Sequence, residues 1–451
     1  MSHKNKSTES RPKYFRDPIH GIIEVDPKAR YVIDSPLFQR LRGIKQLAFT
    51  YLVYHGAEHS RFGHSLGVYH LARTLVRQFG VYASDVAEEF CLAALLHDVG
   101  HFPFSHSFES VAKSHGKDLK HEKYSEELIL HSEISDRLSK VDVNPKHVVE
   151  FLKGTYLREP RFRFLNMLLS SELDIDRLDF LLRDSYYCGV MYGTYDLDRL
   201  ILSMQPYRNQ EVVISRKGIQ SVEMYVLARF SMYLQVYAHH TRRAFDLMLQ
   251  SLFAKRDFEN LGYPKPTKNE INGLEGFDDN WLLRKIKEIP QNTGNSRSRL
   301  ARQFLKREPI KWVCECQAFT DVFERGKRTI PAYTTLSDFC RSLKNRQIDS
   351  SLKVPIDEIW GDDLFGDLPF QNRYRPVSYT SESEKGIIRV LNSPQDEPRD
   401  IADNPSSLAS FLARNMVQIV RVYTLERNRT ALVSYLKKKC DKEGIIWCPT
   451  E

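Results

Sequence analysis

The 451-residue sequence predicts a mainly α-helical protein with a smaller α+β region towards its C-terminal end. Apolar residues recur at helical spacing through most of residues 36–255, which is typical of amphipathic helices around a core. After residue 255, Gly, Pro, Asn and Asp become frequent, and β-like runs appear, namely TIPAYTT, RPVSYT, GIIRVL and VQIVRVYTL. We therefore expect a mobile tail at 1–13, a helical core at 14–255 and an α+β region at 256–451.

The predicted elements follow in order from the N-terminus. Residues 19–32 contain the β-like runs IIEV and YVI, which predict a hairpin or an extended arm. Asp34 or Ser35 is expected to cap a helix that has Pro36 in its first turn. Further helices are predicted at 64–79, 90–99, 122–138, 145–153, 162–185 and 219–255, the last as one long helix or a broken pair.

The composition is that of an ordinary soluble globular chain. Hydrophobic residues make up 41% and charged residues 27%, which argues against wholesale disorder. No apolar run approaches the roughly 18 residues of a membrane span, and the polar N-terminus lacks the apolar segment of a secretory signal. Seven sparse cysteines favour reduced thiols and a cytoplasmic location. A net charge of +8 excludes histone-like binding but permits an anionic ligand.

Histidine has the most informative distribution. All 15 histidines lie at or before His240, and nine of them fall between His55 and His121. Histidine is the commonest metal ligand and the usual acid or base near neutral pH. The alternative is a chance cluster of core histidines, which nine in so short a segment makes unattractive. We therefore expect a catalytic or metal site before residue 240.

Four residues form the candidate metal site. His97 and Asp98 are expected inside the buried helix at 90–99, where a carboxylate needs a partner or a metal. His64 opens the preceding helix, and Asp176 interrupts an otherwise apolar helical stripe. Two imidazoles and two carboxylates suit Fe, Mn, Zn or Co and leave positions open for water and substrate. The alternative is that each residue is a satisfied polar group of the core.

Seven sequence strings together carry a family resemblance. They are DPIHG (17–21), DSPLFQRLRGIKQL (34–47), HSRFGHSLGVYHLA (59–72), LLHDVGHFPFSHSFE (95–109), HE (121–122), DIDRLDFLLRD (174–184) and ARFSMYLQVYAHH (228–240). The chain thus resembles the HD-domain phosphohydrolases over roughly residues 14–250, and within them the deoxynucleoside triphosphate triphosphohydrolases. The resemblance implies an HD-domain helical core that hydrolyses a dNTP to a deoxynucleoside and inorganic triphosphate.

The resemblance also implies roles for individual residues. The matches to metal ligands are His64, His97, Asp98 and Asp176, and the catalytic matches are His101, His121 and the orienting Glu109. The substrate-binding matches are Arg61 and His106 at the α-phosphate, Arg177 and Arg229 at the triphosphate, Gln46 and Asp184 at the sugar 3′-hydroxyl, and Tyr237 against the sugar. Phe180 stands where many relatives have tyrosine, so it is expected to be an apolar wall. Magnesium is expected to accompany the triphosphate.

A regulatory site is the next implication. Asp34, Gln39 and Arg42 match residues that bind an activating nucleotide in some relatives, the alternative being helix capping and a solvated face. The region 256–451 is expected to serve oligomerisation, as a tetramer or larger, and regulation. Basic residues between 281 and 311 permit a nucleic-acid patch, but a solvated helix surface is the simpler interpretation.

Two other functions stay open. One is another HD phosphohydrolase, which acts on nucleoside monophosphates or signalling nucleotides. The other is a non-hydrolytic sensor of nucleotides or nucleic acid, which the presence of His101, Glu109 and His121 together disfavours. The sequence names neither the preferred dNTP nor an activator.

Overall fold

The computed structural model describes residues 11–82, 84–253, 255–265, 267, 270–290, 295–321, 331–345, 352–365, 388–393 and 395–442. Most of the predicted tail and the run RPVSYT lie outside the described residues. The mainly α-helical fold class is confirmed, with a few small sheets beside the helices. Among the described residues, none of the helices has both the length and the apolar character needed to span a bilayer.

The helices are numbered here in chain order. They are α1 Pro27–Ile33, α2 Pro36–Gln39, α3 Arg61–Gln78, α4 Asp85–Leu96, α5 His106–Ser114, α6 His121–His131, α7 Glu133–Lys140, α8 Pro145–Leu152, α9 Met167–Ser170, α10 Ile175–Cys188, α11 Leu197–Ser203, α12 Ile219–Met232, α13 His240–Leu252, α14 Lys255–Glu259, α15 Asp279–Lys287, α16 Ser296–Leu305, α17 Pro331–Lys344, α18 Leu408–Arg414 and α19 Arg429–Lys442. The strands are β1 Lys13–Asp17, β2 Gly21–Val25, β3 Met204–Tyr207, β4 Glu211–Ser215, β5 Lys311–Asp321, β6 Ile359–Phe365, β7 Arg389–Leu391, β8 Arg399–Asp400 and β9 Asn415–Thr424.

The first of two compact units contains the described residues of Met1–Met232, Ala254–Glu288 and Ile387–Ile401. Its centre is the nearly fully buried helix α4, which packs against α3, while α3 also packs against α10. Ser84 begins α4 by accepting a hydrogen bond from the amide of Ala87. The hairpin β1–β2 and the sheet β3-β4-β7-β8 complete this unit. Three helices thus meet where the histidine-rich strings lie.

The second unit contains the described residues of Tyr233–Phe253, Ile289–Gly386 and Ala402–Glu451. Its sheet has the order β5-β9-β6, and β9 pairs antiparallel with both neighbours. Helices α17 and α19 contribute Phe339 and Leu436 to a core that also contains Val313, Val420 and Val422 from the sheet. The three-part division of the chain, with its assigned roles, stays a prediction.

Several helix and strand predictions are wrong in detail. The run YVI lies in α1, because Asp26 accepts the amide of Ala29 and Pro27 follows it at the first helical position. Part of TIPAYTT lies in helix α17 and not in a strand. Of the two predicted caps, Ser35 is confirmed as the N-cap of α2, and Asp34 is instead the C-cap of α1.

Two long predicted helices are each broken by a capping side chain. The helix expected at 122–138 divides into α6 and α7, because the hydroxyl of Ser132 accepts the amide of Ile134. The helix expected at 162–185 becomes a 3₁₀ turn, α9 and α10. Asp174 starts α10 by accepting the amide of Arg177, which sets the position of Asp176 in its first turn.

Candidate metal and catalytic site

Three helices position the four predicted metal ligands. His64 lies in the first turn of α3, and Asp176 lies in the first turn of α10. Helix α4 ends at Leu96, so His97 is its C-cap and Asp98 lies in the turn beyond. The expectation that both residues lie inside the helix is therefore wrong. The helix end frees both side chains to turn towards α3 and α10.

The donor atoms of these residues converge. The Nε2 atom of His64 lies 2.9 Å from Oδ1 of Asp176 and 3.2 Å from Nε2 of His97. The Nε2 atom of His97 lies 3.4 Å from Oδ1 of Asp98 and 3.7 Å from Oδ1 of Asp176. Histidine nitrogens and carboxylate oxygens this close are what a divalent first-row metal requires. The residues present therefore fit the metal that the sequence predicts.

The charges of the site also fit a cation. Burial lowers the pKa of His64, but its contacts with Asp176 and Asp179 outweigh this and raise the pKa to about 10. Burial raises the pKa of Asp176, but its contacts with His64 and His97 hold that pKa well below the ordinary value. The carboxylates thus favour positive charge at this point, and a metal would replace the proton there.

Asp179 supports His64 from behind. Its Oδ2 atom lies 2.8 Å from Nδ1 of His64, so the Nε2 atom of that ring is the one that faces the site. Asp179 is fully buried and also contacts Arg183 at 2.8 Å and His20 at 2.6 Å. A side chain on Gly67 of α3 would lie 1.8 Å from the Asp179 carboxylate, which explains a glycine within this helix.

The hairpin β1–β2 completes this support. Asp17 accepts the backbone amides of Ile19 and His20 in the turn, and its carboxylate also contacts Arg183 at 2.8 Å. The chain of contacts therefore runs from Asp17 through Arg183 and Asp179 to His64. The sequence analysis assigned no role to Asp17, His20, Asp179 or Arg183, although all four lie within the matching strings.

A second group of side chains lies beside the ligands. The ring of His101 stacks on that of His121, with centroids 3.8 Å apart. Oε1 of Glu109 lies 2.8 Å from Nδ1 of His121, and Oε2 lies 2.8 Å from Nδ1 of His106. Asp98 connects the two groups, since its Oδ1 atom lies 3.3 Å from Nε2 of His101. The predicted catalytic residues therefore lie together beside the predicted ligands.

His101 and Glu109 have unusual environments. Neither ring nitrogen of His101, which is 1% exposed, has a hydrogen-bond partner among the residues that the structure describes. Burial, with Arg61 and His121 nearby, holds the pKa of His101 well below its ordinary value. Burial raises the pKa of Glu109, but hydrogen bonds with His106 and His121 outweigh this and lower it. At neutral pH the site thus holds a neutral imidazole beside a carboxylate-anchored one.

Tight packing fixes the segment that carries these residues. The hydroxyl of Ser125 on α6 accepts the amide of Gly100 and donates to the carbonyl of His97, both at 2.9 Å. A side chain at Gly100 would lie 2.2 Å from the backbone nitrogen of Ser125 and 2.5 Å from the carbonyl of His121. Helix α6 therefore connects His121 directly to the segment after α4, a contact that the sequence analysis missed.

The predicted phosphate contacts are mostly paired with carboxylates. Arg61 contacts Asp98 and donates to the hydroxyl of Ser105 at 2.8 Å. Arg177 contacts Asp174, and Arg229 contacts Glu172. His106 is the most exposed residue of the group, with 62% of its side chain accessible, and the Phe180 ring lies 6.5 Å from that of His64.

The predicted sugar contacts lie in different parts of the chain. Asp184 is buried and contacts His59 at 2.7 Å, and the His59 ring stacks on Tyr187. Gln46 is buried, and its Oε1 atom has no hydrogen-bond partner among the described residues. Tyr237 belongs to the second unit, where it ends a π-helical turn, so its role stays a prediction.

The predicted regulatory residues cluster around α1 and α2. Gln39 donates to the carbonyl of Ile33 at 2.9 Å and accepts Nε of Arg42 at 2.7 Å. The Arg42 guanidinium lies 3.5 Å from the centre of the Phe62 ring, and the Asp34 carboxylate lies 3.7 Å from Nε of Arg30. Their regulatory role stays a prediction.

Comparisons with known proteins define the class. The HD domain family matches residues 61–157, and the HD associated region matches residues 195–332. A crystal structure of a hypothetical protein from Aquifex aeolicus is 27% identical, with a TM-score of 0.73, over 94% of this chain and 100% of that one. A phosphohydrolase from Bacteroides thetaiotaomicron, 24% identical with a TM-score of 0.67 over 92% and 100% of the two chains, shares the fold. Fold and site together are those of an HD-domain protein.

Curated relatives narrow the family. The deoxynucleoside triphosphate triphosphohydrolase SAMHD1 of Mus musculus is 31% identical over 97% of this chain and 71% of its own length. The uncharacterized proteins YwfO of Bacillus subtilis and MJ1154 of Methanocaldococcus jannaschii are 42% and 38% identical over 56% and 61% of this chain. The chain spans only 58% and 57% of those two proteins. The chain belongs to the HD-domain phosphohydrolase family that includes SAMHD1.

Proposed function

We propose that the protein hydrolyses a dNTP to a deoxynucleoside and inorganic triphosphate in a metal-dependent reaction. The convergence of His64, His97, Asp98 and Asp176 beside the pair of His121 and Glu109 carries this proposal. Such a site suits attack of water on a phosphate ester. The name of the murine relative, a deoxynucleoside triphosphate triphosphohydrolase, supports the choice of substrate.

The four converging residues would hold one transition metal, from among Fe, Mn, Zn and Co. When bound, the metal supplies Lewis-acid polarisation of the α-phosphate and activation of water. Asp179 keeps His64 in the tautomer and orientation that such binding requires. Arg61, whose guanidinium contacts Asp98 and the hydroxyl of Ser105, is assigned to an α-phosphate oxygen.

The reaction divides the proton transfers between two histidines. Water forms a new bond to the α-phosphorus, and the bond from this phosphorus to the 5′-oxygen breaks. His101 is neutral and buried, so it can orient the water and take its proton. Glu109 fixes Nδ1 of His121, and the other ring nitrogen of His121 delivers a proton to the departing 5′-oxygen. The products are a deoxynucleoside and triphosphate.

The charges near Arg177 and Arg229 support a role for magnesium. The ion pairs with Asp174 and Glu172 leave these two arginines with little net positive charge for a triphosphate. A triphosphate that brings its own Mg²⁺ would meet this deficit. We assign the sugar to Gln46, Asp184 and Tyr237, an apolar wall to Phe180, and a phosphate contact to His106.

The remaining assignments are proposals on the same basis. Asp34, Gln39 and Arg42 would bind an activating nucleotide, and the chain would act as a cytoplasmic homo-oligomer. Residues 256–451 would serve assembly and regulation. Nucleic acid is not required by any of these roles.

A product assay tests the proposal. Purified protein is incubated with single and mixed dNTPs and with NTPs, in Mg²⁺ and in Mn²⁺, and every product is identified. Inorganic triphosphate with deoxynucleoside is the expected result. Orthophosphate alone would favour a different HD phosphohydrolase, and nucleotide binding without turnover in mixed dNTPs would favour a sensor. Either outcome would overturn the proposal.

A further inference from the structure

The segment between α4 and α5, residues 97–105, is here named the catalytic loop. It carries His97, Asp98 and His101. Phe104 and Ser105, at its end, have φ values of 51° and 53°. Residues with a side chain rarely adopt this left-handed region, and they do so where surrounding contacts impose it. The loop therefore depends on contacts from outside itself.

Arg40 supplies the first of these contacts. This arginine, 5% exposed, follows directly after α2. Its guanidinium donates to the carbonyl of Val99 at 2.6 Å and to that of His101 at 2.8 Å. It also donates to the carbonyl of Phe277 at 2.8 Å. Arg40 thus joins the middle of the catalytic loop to the segment that leads into α15.

Asp279, at the start of α15, supplies the second contact. Its Oδ1 atom accepts the amide of Phe104 at 2.6 Å, and its Oδ2 atom accepts the amide of Lys45 at 2.9 Å. Only 4% of Asp279 is exposed. The hydroxyl of Ser105 donates to the carbonyl of Lys45 at 3.0 Å. Each residue with a positive φ therefore has its own contact, Phe104 with Asp279 and Ser105 with Lys45. The Asp279 carboxylate thus links the catalytic loop to the backbone at Lys45.

We propose that Asp279 is a positioning residue, which holds the catalytic loop so that Asp98 and His101 face the reacting phosphate. The proposal rests on the proposed function and adds a residue that lies more than 100 positions beyond the matched HD domain. Asp279 falls within the HD associated region, so this region supplies part of the active-site support. The sequence analysis missed it, because its partners are backbone amides.

The surroundings of Asp279 define the matched control. The charged and titratable groups near it are Lys45, Asp278, Arg40 and Tyr51. Asp278 is the adjacent carboxylate, which caps α15 by accepting the amide of Trp281 at 3.0 Å. Asparagine caps a helix as well as aspartate does, so Asp278→Asn should preserve the fold and the loop. Asp279→Asn differs, because an amide cannot accept two backbone N–H groups as a carboxylate does.

The test compares Asp279→Asn with Asp278→Asn and the unmodified protein at about pH 8. Single-turnover hydrolysis of the fastest dNTP should fall about 10–100-fold in Asp279→Asn, with KM within about twofold. Metal content should be unchanged, and hydrogen exchange should accelerate at the amides of Phe102, Phe104 and Ser105. Asp278→Asn should match the unmodified protein in all four measurements.

Three results would overturn the proposal. One is turnover by Asp279→Asn within about twofold of the unmodified protein. Another is a loss of exchange protection throughout the first unit, which would indicate a structural role only. The third needs no variant and applies if Asp279→Asn fails to fold. In the unmodified protein the amide of Phe104 should exchange as slowly as those of α4, and exchange at the rate of an open loop would contradict the contact.

The exchange measurements separate this proposal from the proposed function. If no dNTP is hydrolysed, the proposed function fails on the product assay. Faster exchange at Phe102, Phe104 and Ser105 in Asp279→Asn, and not in Asp278→Asn, would still support the contact. Unchanged exchange there would overturn it.

Discussion

Buried charge is organised differently in the two units. In the second unit, the Glu358 carboxylate accepts hydrogen bonds from Arg299, Arg427 and Asn428. Both carboxylate oxygens of Asp362 accept hydrogen bonds from Arg243. In the first unit, donor atoms of His64, His97 and Asp176 instead lie within 4.8 Å of one another, and Oδ1 of Asp98 lies 3.4 Å from Nε2 of His97. Neither ring nitrogen of the neighbouring His101 has a hydrogen-bond partner of good geometry among the described residues, although Oδ1 of Asp98 lies 3.3 Å from Nε2.

This contrast distinguishes buried charged groups that stabilise the fold from those that are available for binding and catalysis. Carboxylate oxygens that are already paired, as in Glu358 and Asp362, offer no free acceptor to a metal ion. Buried nitrogen and oxygen atoms whose lone pairs face one another are unfavourable until a cation or a proton lies between them. The first unit contains such an unfavourable arrangement at the candidate metal site, as expected of a site that binds a ligand.

The largest expected effect comes from removing two ligands. His97→Ala with Asp98→Ala should reduce turnover to background, because half of the donor set is lost. Bound transition metal, measured by elemental analysis, should fall in parallel. Loss of Asp98 also leaves the buried Arg61 without its carboxylate, so both measurements are made at a temperature where the variant is folded. Full activity in this variant would refute the ligand assignment.

The next effect concerns the orientation of His121. Glu109→Gln should lower kcat by roughly 10–100-fold, since the carboxylate that fixes Nδ1 is lost, and should leave the metal content unchanged. Steady-state kinetics with metal analysis measures both. Glu288→Gln is the control, because this glutamate is exposed and contacts Lys285 at the surface. An equal loss in both variants would contradict a specific role for Glu109.

A smaller effect is expected from the residue behind His64. Asp179→Asn should weaken metal affinity about 10–100-fold, since it removes a carboxylate acceptor for Nδ1 of His64. Titration of metal-free protein with Mn²⁺ or Co²⁺ measures this. Asp196→Asn, which retains an asparagine cap on α11, provides the control. Unchanged affinity in Asp179→Asn would show that the packing alone orients His64.

Removal of a buried carboxylate in the second unit should lower the stability of the protein without changing its metal affinity. Asp362→Ala leaves Arg243 buried with only Asp246 of the two acidic partners. We expect a loss of about 3 kcal/mol in the free energy of unfolding. Metal affinity should stay unchanged. A fall in metal affinity at a temperature where the variant is folded would contradict the separation of roles.

A further expected effect in the first unit is a pH dependence from Asp279. Burial raises the pKa of Asp279 to about 7, although the amides of Phe104 and Lys45 oppose this shift. The folded protein therefore binds a proton that the unfolded chain releases near its ordinary pKa of 3.8. The stabilising contribution is complete below the lower value and is lost as the pH rises to about 7.

Chemical denaturation across this pH range measures the effect. The difference in the free energy of unfolding between the unmodified protein and Asp279→Asn should shrink as the pH rises from about 4 to about 7. Asp278→Asn should show no such trend. A constant difference would mean that Asp279 does not titrate in this window.

The fold class and the residues whose donor atoms converge could both be predicted from the sequence because both leave local patterns, while the metal-binding role of those residues stays a prediction. Helical periodicity marks α3 and α4, and the ligands lie in recognisable strings. Prediction from the sequence failed where a cap decides the outcome, as at Ser132, which divides a continuous helical pattern. It also missed Arg40 and Asp279, since contacts with backbone carbonyls and amides require no complementary residue type.

The hairpin β1–β2 has a practical consequence for dissecting the protein. The matched HD domain starts at Arg61 and ends at residue 157, yet Asp17 and His20 precede it, and Asp176 and Asp279 follow it. A fragment cut at the borders of the matched domain would lack one ligand and the supports on both sides of the site. A fragment that retains the candidate site therefore needs to begin before the hairpin and extend through α15.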